Sequence, residues 1–162
     1  MNHKQKEKKW LSPDDALKKL QQYCAYRDRC HKEVRKKLLD LGVYGDTLEQ
    51  IIIQLIEDRF LDEERFARSF ARGKFRINKW GKVKIKRELK FREISDYCIR
   101  KAMEEIDELD YLKQLEEVIL QKNALLKEPN LYKRKSKLAA FVINKGYESQ
   151  LAWTIVNEQI KA

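Results

Sequence analysis

Apolar side chains recur along most of the chain at intervals of three and four residues, with charged residues between them. This spacing predicts a series of amphipathic α-helices. Ser12 and Pro13 suit the start of a first helix, because serine caps helix N-termini and proline is accepted in the first turn. A second helix is predicted over about 31–41, and Gly42 is expected to end it. The third is predicted to open at Thr47, where the Thr-x-x-Gln pattern forms a capping box.

One hydrophobic register occurs three times, each time around a predicted helix break. Around Gly42, apolar residues lie eight and four positions before it and six, ten and thirteen positions after it. The same offsets counted from Glu93 and Gly146 also fall on apolar residues, except at Gln159. The positions are Val34, Leu38, Leu48, Ile52 and Leu55, then Ile85, Leu89, Ile99, Met103 and Ile106, then Leu138, Val142, Ala152 and Val156. A register shared across a helix break indicates tandem copies of one helical unit.

Each copy has its own leading helix, which extends the unit to three helices. The leading helices are predicted over 13–26, about 62–77 and about 110–126. Asp62 is expected to cap the second of them, and Pro129 to separate the third from the helix after it. We therefore predict an all-α fold of three tandem three-helix modules. They cover 12–60, 61–109 and 110–162, after a flexible basic tail over 1–11. Because such modules bury little apolar surface alone, they should share cores in an elongated, curved array.

Positive charge is concentrated in one segment of the chain. The 162 residues carry 36 Lys and Arg against 26 Asp and Glu, a formal net charge of +10. Within 72–92 there are ten Lys or Arg and a single acid, Glu88, whereas 103–117 holds seven acids and only Lys113. Such a polarised pattern indicates a surface for phosphates or for an acidic protein groove.

The basic segment 72–92 is the first candidate for binding. On a helix over about 82–92, Ile85 and Leu89 would face inward while the lysines and arginines between them project outward. A solvated helix face is the ordinary explanation of a charge run, but the local imbalance favours binding of phosphates. The predicted contact residues here are Arg72, Lys74, Arg76, Lys79, Trp80, Lys82, Lys86, Arg87 and Lys90. For Trp80, base stacking and packing are both open, and packing is favoured.

A second candidate is the corner between the first two helices, where Arg27 and Arg29 flank Asp28. These arginines could form a fork onto the carboxylates or phosphates of a partner. Equally, Arg27 could cap the C-terminus of its own helix. The sequence leaves both interpretations open.

Other kinds of chemistry find little support in the sequence. Cys24, Cys30 and Cys98 lack CxxC spacing, and His31 has no second ligand pair near it, so we expect neither a disulfide framework nor a metal site. No recognisable spacing of nucleophile and base, paired carboxylates or glycine-rich phosphate loop is present, so we expect neither an enzyme nor a bound cofactor. The acids from Glu104 to Glu108 are interpreted as a solvated helix end. With no apolar run near the roughly 20 residues that span a membrane, we expect a cytoplasmic protein.

Over about 16–156 the chain resembles the RecX family of RecA regulators. In the first module the resemblance rests on Tyr26, Arg27, Asp28, Arg29, Cys30, Glu33 and Leu38, with Cys30 and Val34 replacing the family's usual serine and leucine. In the second it rests on Phe60, Leu61, Asp62, Phe66, Ala67, Phe70, Gly81, Lys84, Ile85, Glu88 and Leu89. In the third it is looser and rests on Lys135, Leu138, Phe141, Gly146 and Tyr147.

The resemblance implies a helical, non-enzymatic protein that lies in the groove of the RecA filament on DNA. It implies inhibition of ATP turnover and strand exchange by binding alone. We expect the protein to be a monomer. The competing hypothesis is a stand-alone DNA-binding or architectural module that acts through 72–92. That hypothesis predicts DNA binding without RecA and a steep dependence of affinity on salt.

Overall fold

The computed structural model describes residues 11–161, and these residues form nine α-helices and no strand. The predicted all-α fold is therefore confirmed. The helices are α1 Pro13–Tyr26, α2 His31–Asp40, α3 Gly45–Glu57, α4 Glu63–Arg76, α5 Lys82–Phe91, α6 Asp96–Met103, α7 Glu108–Leu125, α8 Leu131–Asn144 and α9 Ser149–Gln159. Of the predicted basic tail over 1–11, only Leu11 lies within the described residues, and it packs against a buried core.

The chain divides into two compact units, one ending at Phe66 and the other beginning at Ala67. The first unit is built on α1, α2 and α3, whose apolar faces meet in one core. Its buried residues are Ala16, Leu20, Cys24, Val34, Leu38, Val43, Leu48, Ile51, Ile52, Leu55 and Leu61. The division into three modules over 12–60, 61–109 and 110–162 stays a prediction.

The second unit contains α5 to α9 together with most of α4. Its buried apolar residues include Ile85 and Leu89 on α5, Ile99 on α6, Leu115 and Ile119 on α7, Leu138 and Val142 on α8, and Ala152 and Val156 on α9. Tyr111 and Tyr147 are its largest fully buried side chains, each 1% exposed. The faces that the hydrophobic register assigned to the interior are therefore the buried ones, although Met103 is only half-buried.

The three pivots of the register share one backbone motif. Gly42, Glu93 and Gly146 all have positive φ, at 81°, 60° and 102°. Each follows a helix, and the next residue donates its N–H to a carbonyl five residues earlier, at 2.9 Å for Val43, 3.1 Å for Ile94 and 3.1 Å for Tyr147. This pattern is the Schellman motif, in which a left-handed residue ends the helix and the next apolar side chain turns inward. The predicted stop at Gly42 is confirmed.

Helix starts agree with the capping predictions at two positions and depart from them at a third. The Ser12 hydroxyl accepts from the N–H of Asp15 at 3.1 Å, and the Asp62 carboxylate accepts from the N–H of Arg65 at 2.9 Å. The capping box at Thr47 is wrong, because α3 already begins at Gly45 after the extended residue Tyr44. That start moves the Thr47 side chain into the first turn, where it is past the capping position.

Candidate nucleic-acid interface

The basic segment 72–92 lies within the second unit and covers the end of α4, a loop and all of α5. The predicted helix over about 82–92 is confirmed, with α5 ending one residue earlier. Five cations of the segment are exposed, and none of them forms an ion pair with any residue of 11–161. These are Arg76, Lys79, Lys86, Arg87 and Lys90, called here the unpaired cations. Their uncompensated charge is what an anionic ligand would meet.

The other predicted contact residues of this segment hold internal partners. Arg72 lies 3.2 Å from the Glu105 carboxylate, and Lys82 pairs with Glu108 while its side chain is only 16% exposed. A hydrogen bond from Arg68 and the charge of Arg72 lower the pKa of Glu105. This carboxyl therefore stays ionised at lower pH than an ordinary glutamate does. The acids interpreted as a solvated helix end therefore neutralise part of the basic segment, and that interpretation is wrong for Glu105.

Trp80 packs within the segment and is half-buried. Its ring meets Phe70 edge-on with centroids 6.4 Å apart. The ammonium groups of Lys74 and Lys84 lie 4.8 Å and 4.3 Å from the Trp80 ring centroid, as in cation–π contacts. The arrangement agrees with the favoured packing role, and it occupies the tryptophan with its own neighbours.

The loop before α5 is held by a close approach of two glycines. The Gly81 N–H donates to the carbonyl of Lys145 at 2.8 Å, and the Val83 N–H donates to the carbonyl of Gly146 at 2.9 Å. A Cβ at Gly81 would lie 2.2 Å from the Gly146 carbonyl carbon, so no larger residue fits there without a backbone shift. The start of α5 is thereby fixed against the turn between α8 and α9.

Two buried tyrosines hold the same loop from beneath. The Tyr147 hydroxyl donates to the carbonyl of Lys79 at 3.1 Å and accepts from the Gln114 amide at 2.7 Å. The Tyr111 hydroxyl accepts from the N–H of Lys82 at 3.1 Å and donates to the Glu148 carboxylate at 3.0 Å. Burial raises the pKa of both phenols, so both remain neutral donors. The sequence analysis assigned neither tyrosine this positioning role, although Tyr147 is one of the residues on which the family resemblance rests. Tyr111 lies on α7 and Tyr147 in the turn before α9.

The second candidate pair, Arg27 and Arg29, lies in the first unit with different surroundings for each side chain. Arg27 is 62% exposed and lies 3.5 Å from Glu33. Arg29 is 8% exposed, stacks 3.7 Å above the Tyr23 ring centroid and donates to the Tyr23 carbonyl at 3.0 Å. The Arg29 guanidinium thus stabilises the corner itself and leaves little surface for a partner. At Cys30, which replaces the family's serine, the N-cap of α2 makes no side-chain capping bond.

Other candidate chemistry is sparse among the described residues. Cys24 and Cys30 are buried thiols, and burial raises the pKa of each. Residues 11–161 contain no cluster of three or more His, Cys, Asp or Glu side chains that could hold a metal ion. None of the helices described is both long enough and apolar enough to cross a membrane.

Fold and surface together define a class: an all-helical protein with a cluster of exposed cations on its second unit. Comparison with known proteins makes the class specific. The family described as RecX, second three-helix domain, matches residues 62–103. A regulatory protein RecX from Prosthecochloris aestuarii is 30% identical over 143 residues, which cover 86% of this chain and 92% of that protein.

Further comparisons agree with this match. A regulatory protein RecX from Clostridium acetobutylicum is 31% identical over 137 residues, covering 82% of this chain and 61% of that protein. The crystal structure of RecX from Lactobacillus salivarius has the same fold, with a TM-score of 0.81 at 20% identity over 91% of this chain and 96% of that one. The chain belongs to the RecX family of regulatory proteins.

Proposed function

We propose that this protein is a negative regulator of the RecA recombinase, which it binds on DNA, and that it hinders ATP hydrolysis and strand exchange by binding alone. In this role it modulates recombinational DNA repair, acts in the cytoplasm as a monomer, and performs no enzymatic step. Family membership supports the regulatory role. The observation that carries the contact surface is the set of five unpaired cations on the second unit.

The proposed contact surface is narrower than the set of residues expected from sequence. The unpaired cations would meet phosphates or acidic side chains, because they form no ion pair with an acid among residues 11–161. They are Arg76, Lys79, Lys86, Arg87 and Lys90. Arg72, Lys74, Trp80 and Lys82 would hold these residues in place through the contacts described above. On the first unit, Arg27 would reach a partner, with Arg29 supporting the corner.

The test measures ATP hydrolysis by the cognate RecA on single-stranded DNA while increasing amounts of this protein are added. The informative variant combines Lys86→Gln, Arg87→Gln and Lys90→Gln, which removes three unpaired cations from α5. We expect it to need at least about tenfold more protein for the same inhibition, since phosphate contacts add in binding free energy. A matched control, Lys18→Gln with Lys19→Gln and Lys127→Gln, removes the same charge from exposed positions elsewhere.

The outcomes separate the surface from the function. Wild-type inhibition that persists in the α5 variant would place the contact elsewhere on the protein. No inhibition at saturating folded protein would contradict the proposed function. It would favour a stand-alone DNA-binding module, which the same cations also support. That module would bind duplex DNA tightly without RecA, with log affinity falling by roughly 0.9 for each phosphate contacted per decade of salt.

A further inference from the structure

The outer face of α5 combines the cations with apolar side chains that solvent reaches. Phe91 is 70% exposed and Val83 is 46% exposed. At 3.6 residues per turn, Val83, Arg87, Lys90 and Phe91 project within an arc of about 100° on the side opposite the buried Ile85 and Leu89. This stripe, together with Lys86 at its edge, is called the α5 outer face. An exposed aromatic side chain and several exposed cations therefore share one face of this helix.

We propose that the α5 outer face binds an unpaired DNA strand, with Phe91 stacked on a base and Lys86, Arg87 and Lys90 on the phosphates that flank it. The inference deepens the proposed function, on which it rests for DNA as the partner. Aromatic platforms among cations bind single strands because every base presents a flat face that a duplex keeps stacked inside. Cations alone would bind single and double strands through their phosphates.

Geometry favours a DNA strand over an anionic membrane. From Val83 to Phe91 the helix rises about 12 Å, which gives the stripe room for a few nucleotides. An anionic membrane would need a broad apolar helix face with several large side chains, whereas the α5 outer face has only Val83 and Phe91. The loop before α5 is held by Gly81 and Tyr147, so the backbone at the start of this helix is fixed before a ligand arrives. Preorganisation of this kind lowers the entropic cost of binding.

The test measures fluorescence anisotropy of labelled DNA without RecA. Three probes of equal length are compared: oligothymidylate, an abasic strand with the same phosphates, and a duplex. Phe91→Leu keeps an apolar side chain and removes the ring, so we expect oligothymidylate affinity to fall roughly tenfold while abasic affinity stays unchanged. The slope of log affinity against log salt should not change, because no phosphate contact is lost.

Two further variants complete the design. Lys90→Gln should reduce the salt slope for the single strand by roughly 0.7, the value for one phosphate contact, on both oligothymidylate and the abasic strand. Tyr97→Leu is the matched control, since Tyr97 is a 56% exposed aromatic on α6 of the same unit, and it should bind all three probes like the wild type. Thermal unfolding of each variant verifies that the fold is intact.

The stacking proposal would be overturned if Phe91→Leu bound oligothymidylate as tightly as the wild type does. It would also be overturned if Phe91→Leu lost as much affinity for the abasic strand as for oligothymidylate, or if the wild type bound the duplex more tightly than oligothymidylate. Parallel RecA ATPase assays keep this failure distinct from failure of the proposed function. If Phe91→Leu binds oligothymidylate normally and still inhibits RecA, only the stacking proposal fails. If the wild type stacks single strands through Phe91 and yet does not inhibit RecA, only the proposed regulation fails. Weaker RecA inhibition with unchanged DNA binding would assign Phe91 to a protein contact and overturn the stacking proposal.

Discussion

At the residue scale, Arg27 and Arg29 show how two arginines near each other in the chain come to differ. The Arg27 side chain is 62% exposed, whereas that of Arg29 is 8% exposed. Arg29 stacks on Tyr23, donates to its carbonyl and lies 3.5 Å from Glu33. A buried guanidinium that donates to a partly buried carbonyl is costly to remove, because the carbonyl then loses its partner.

Replacement of Arg29 should therefore destabilise the fold more than replacement of Arg27. For Arg29→Met we expect the free energy of unfolding to fall by about 2 kcal/mol, from the lost hydrogen bonds of a charged donor. For Arg27→Met, an exposed position, we expect a change within about 0.5 kcal/mol. Urea unfolding of both variants measures the difference. Equal stabilities for the two variants would show that the Arg29 cluster contributes nothing to the corner.

The sequence could predict the charge of this corner but not the burial of one of its arginines. Alternating residues in a turn point in directions that only the backbone decides, and the stacking partner Tyr23 lies on the preceding helix. The same limit applies to Phe91, whose position in the basic segment is plain in the sequence while its exposure is not. The burial of Tyr111 and Tyr147 could not be predicted either, because it depends on how helices distant in sequence pack together.

At the element scale, the Schellman turns at the three pivots of the register are a repeated device of the fold. The turn after α5 places Glu93 at φ 60°, where its two counterparts have glycine. A non-glycine residue in the left-handed region costs roughly 1–2 kcal/mol, because its Cβ crowds the backbone. Glu93 is exposed, so its side chain offers little in return.

Glu93→Gly should consequently stabilise the protein by about 0.5–1 kcal/mol, even after allowing for the greater freedom of glycine in the unfolded chain. Glu93→Ala is the control, since it removes the carboxylate and keeps the strained backbone, and it should leave stability nearly unchanged. Thermal unfolding monitored by circular dichroism compares the three proteins. A Glu93→Gly variant less stable than Glu93→Ala would contradict the role assigned to this turn.

Two glycines of the basic segment should respond oppositely to alanine. Gly73 lies inside α4 with nothing within 4 Å of an added Cβ, so Gly73→Ala should stabilise the protein by about 0.5–1 kcal/mol through helix propensity. At Gly81 the added Cβ would lie 2.2 Å from the Gly146 backbone, so Gly81→Ala should cost about 3 kcal/mol. Chemical denaturation of both variants tests the pair. Similar stabilities would mean that the contact between Gly81 and Gly146 is easily relaxed.

Most helices could be predicted from the sequence, because the hydrophobic register and the caps at Ser12 and Asp62 act locally. The start of α3 could not. Its capping box at Thr47 satisfies a sequence rule, yet the chain leaves the turn after Gly42 already directed into a helix at Gly45. The backbone of the preceding turn outweighed the side-chain cap.

At the scale of the whole molecule, the formal net charge of +10 matters through its distribution. Glu105, just after α6, pairs with Arg68 and Arg72, and Glu108, at the start of α7, pairs with Lys82. Part of the basic segment is therefore neutralised within the second unit. The unpaired cations carry most of the positive charge that this pairing leaves in the segment, and Lys74 and Lys84 carry the rest. A charge excess confined in this way accelerates association with polyanions and loses strength as salt rises.

Lysine footprinting on the RecA filament tests most directly the claim that this cationic surface is where regulation occurs. The protein is lightly acetylated with and without RecA assembled on single-stranded DNA, and mass spectrometry then measures modification at each lysine. We predict that Lys79, Lys86 and Lys90 lose reactivity severalfold when the filament is present, while the exposed Lys18, Lys19 and Lys127 keep theirs. Unchanged reactivity at Lys79, Lys86 and Lys90 in a saturated complex would contradict the claim.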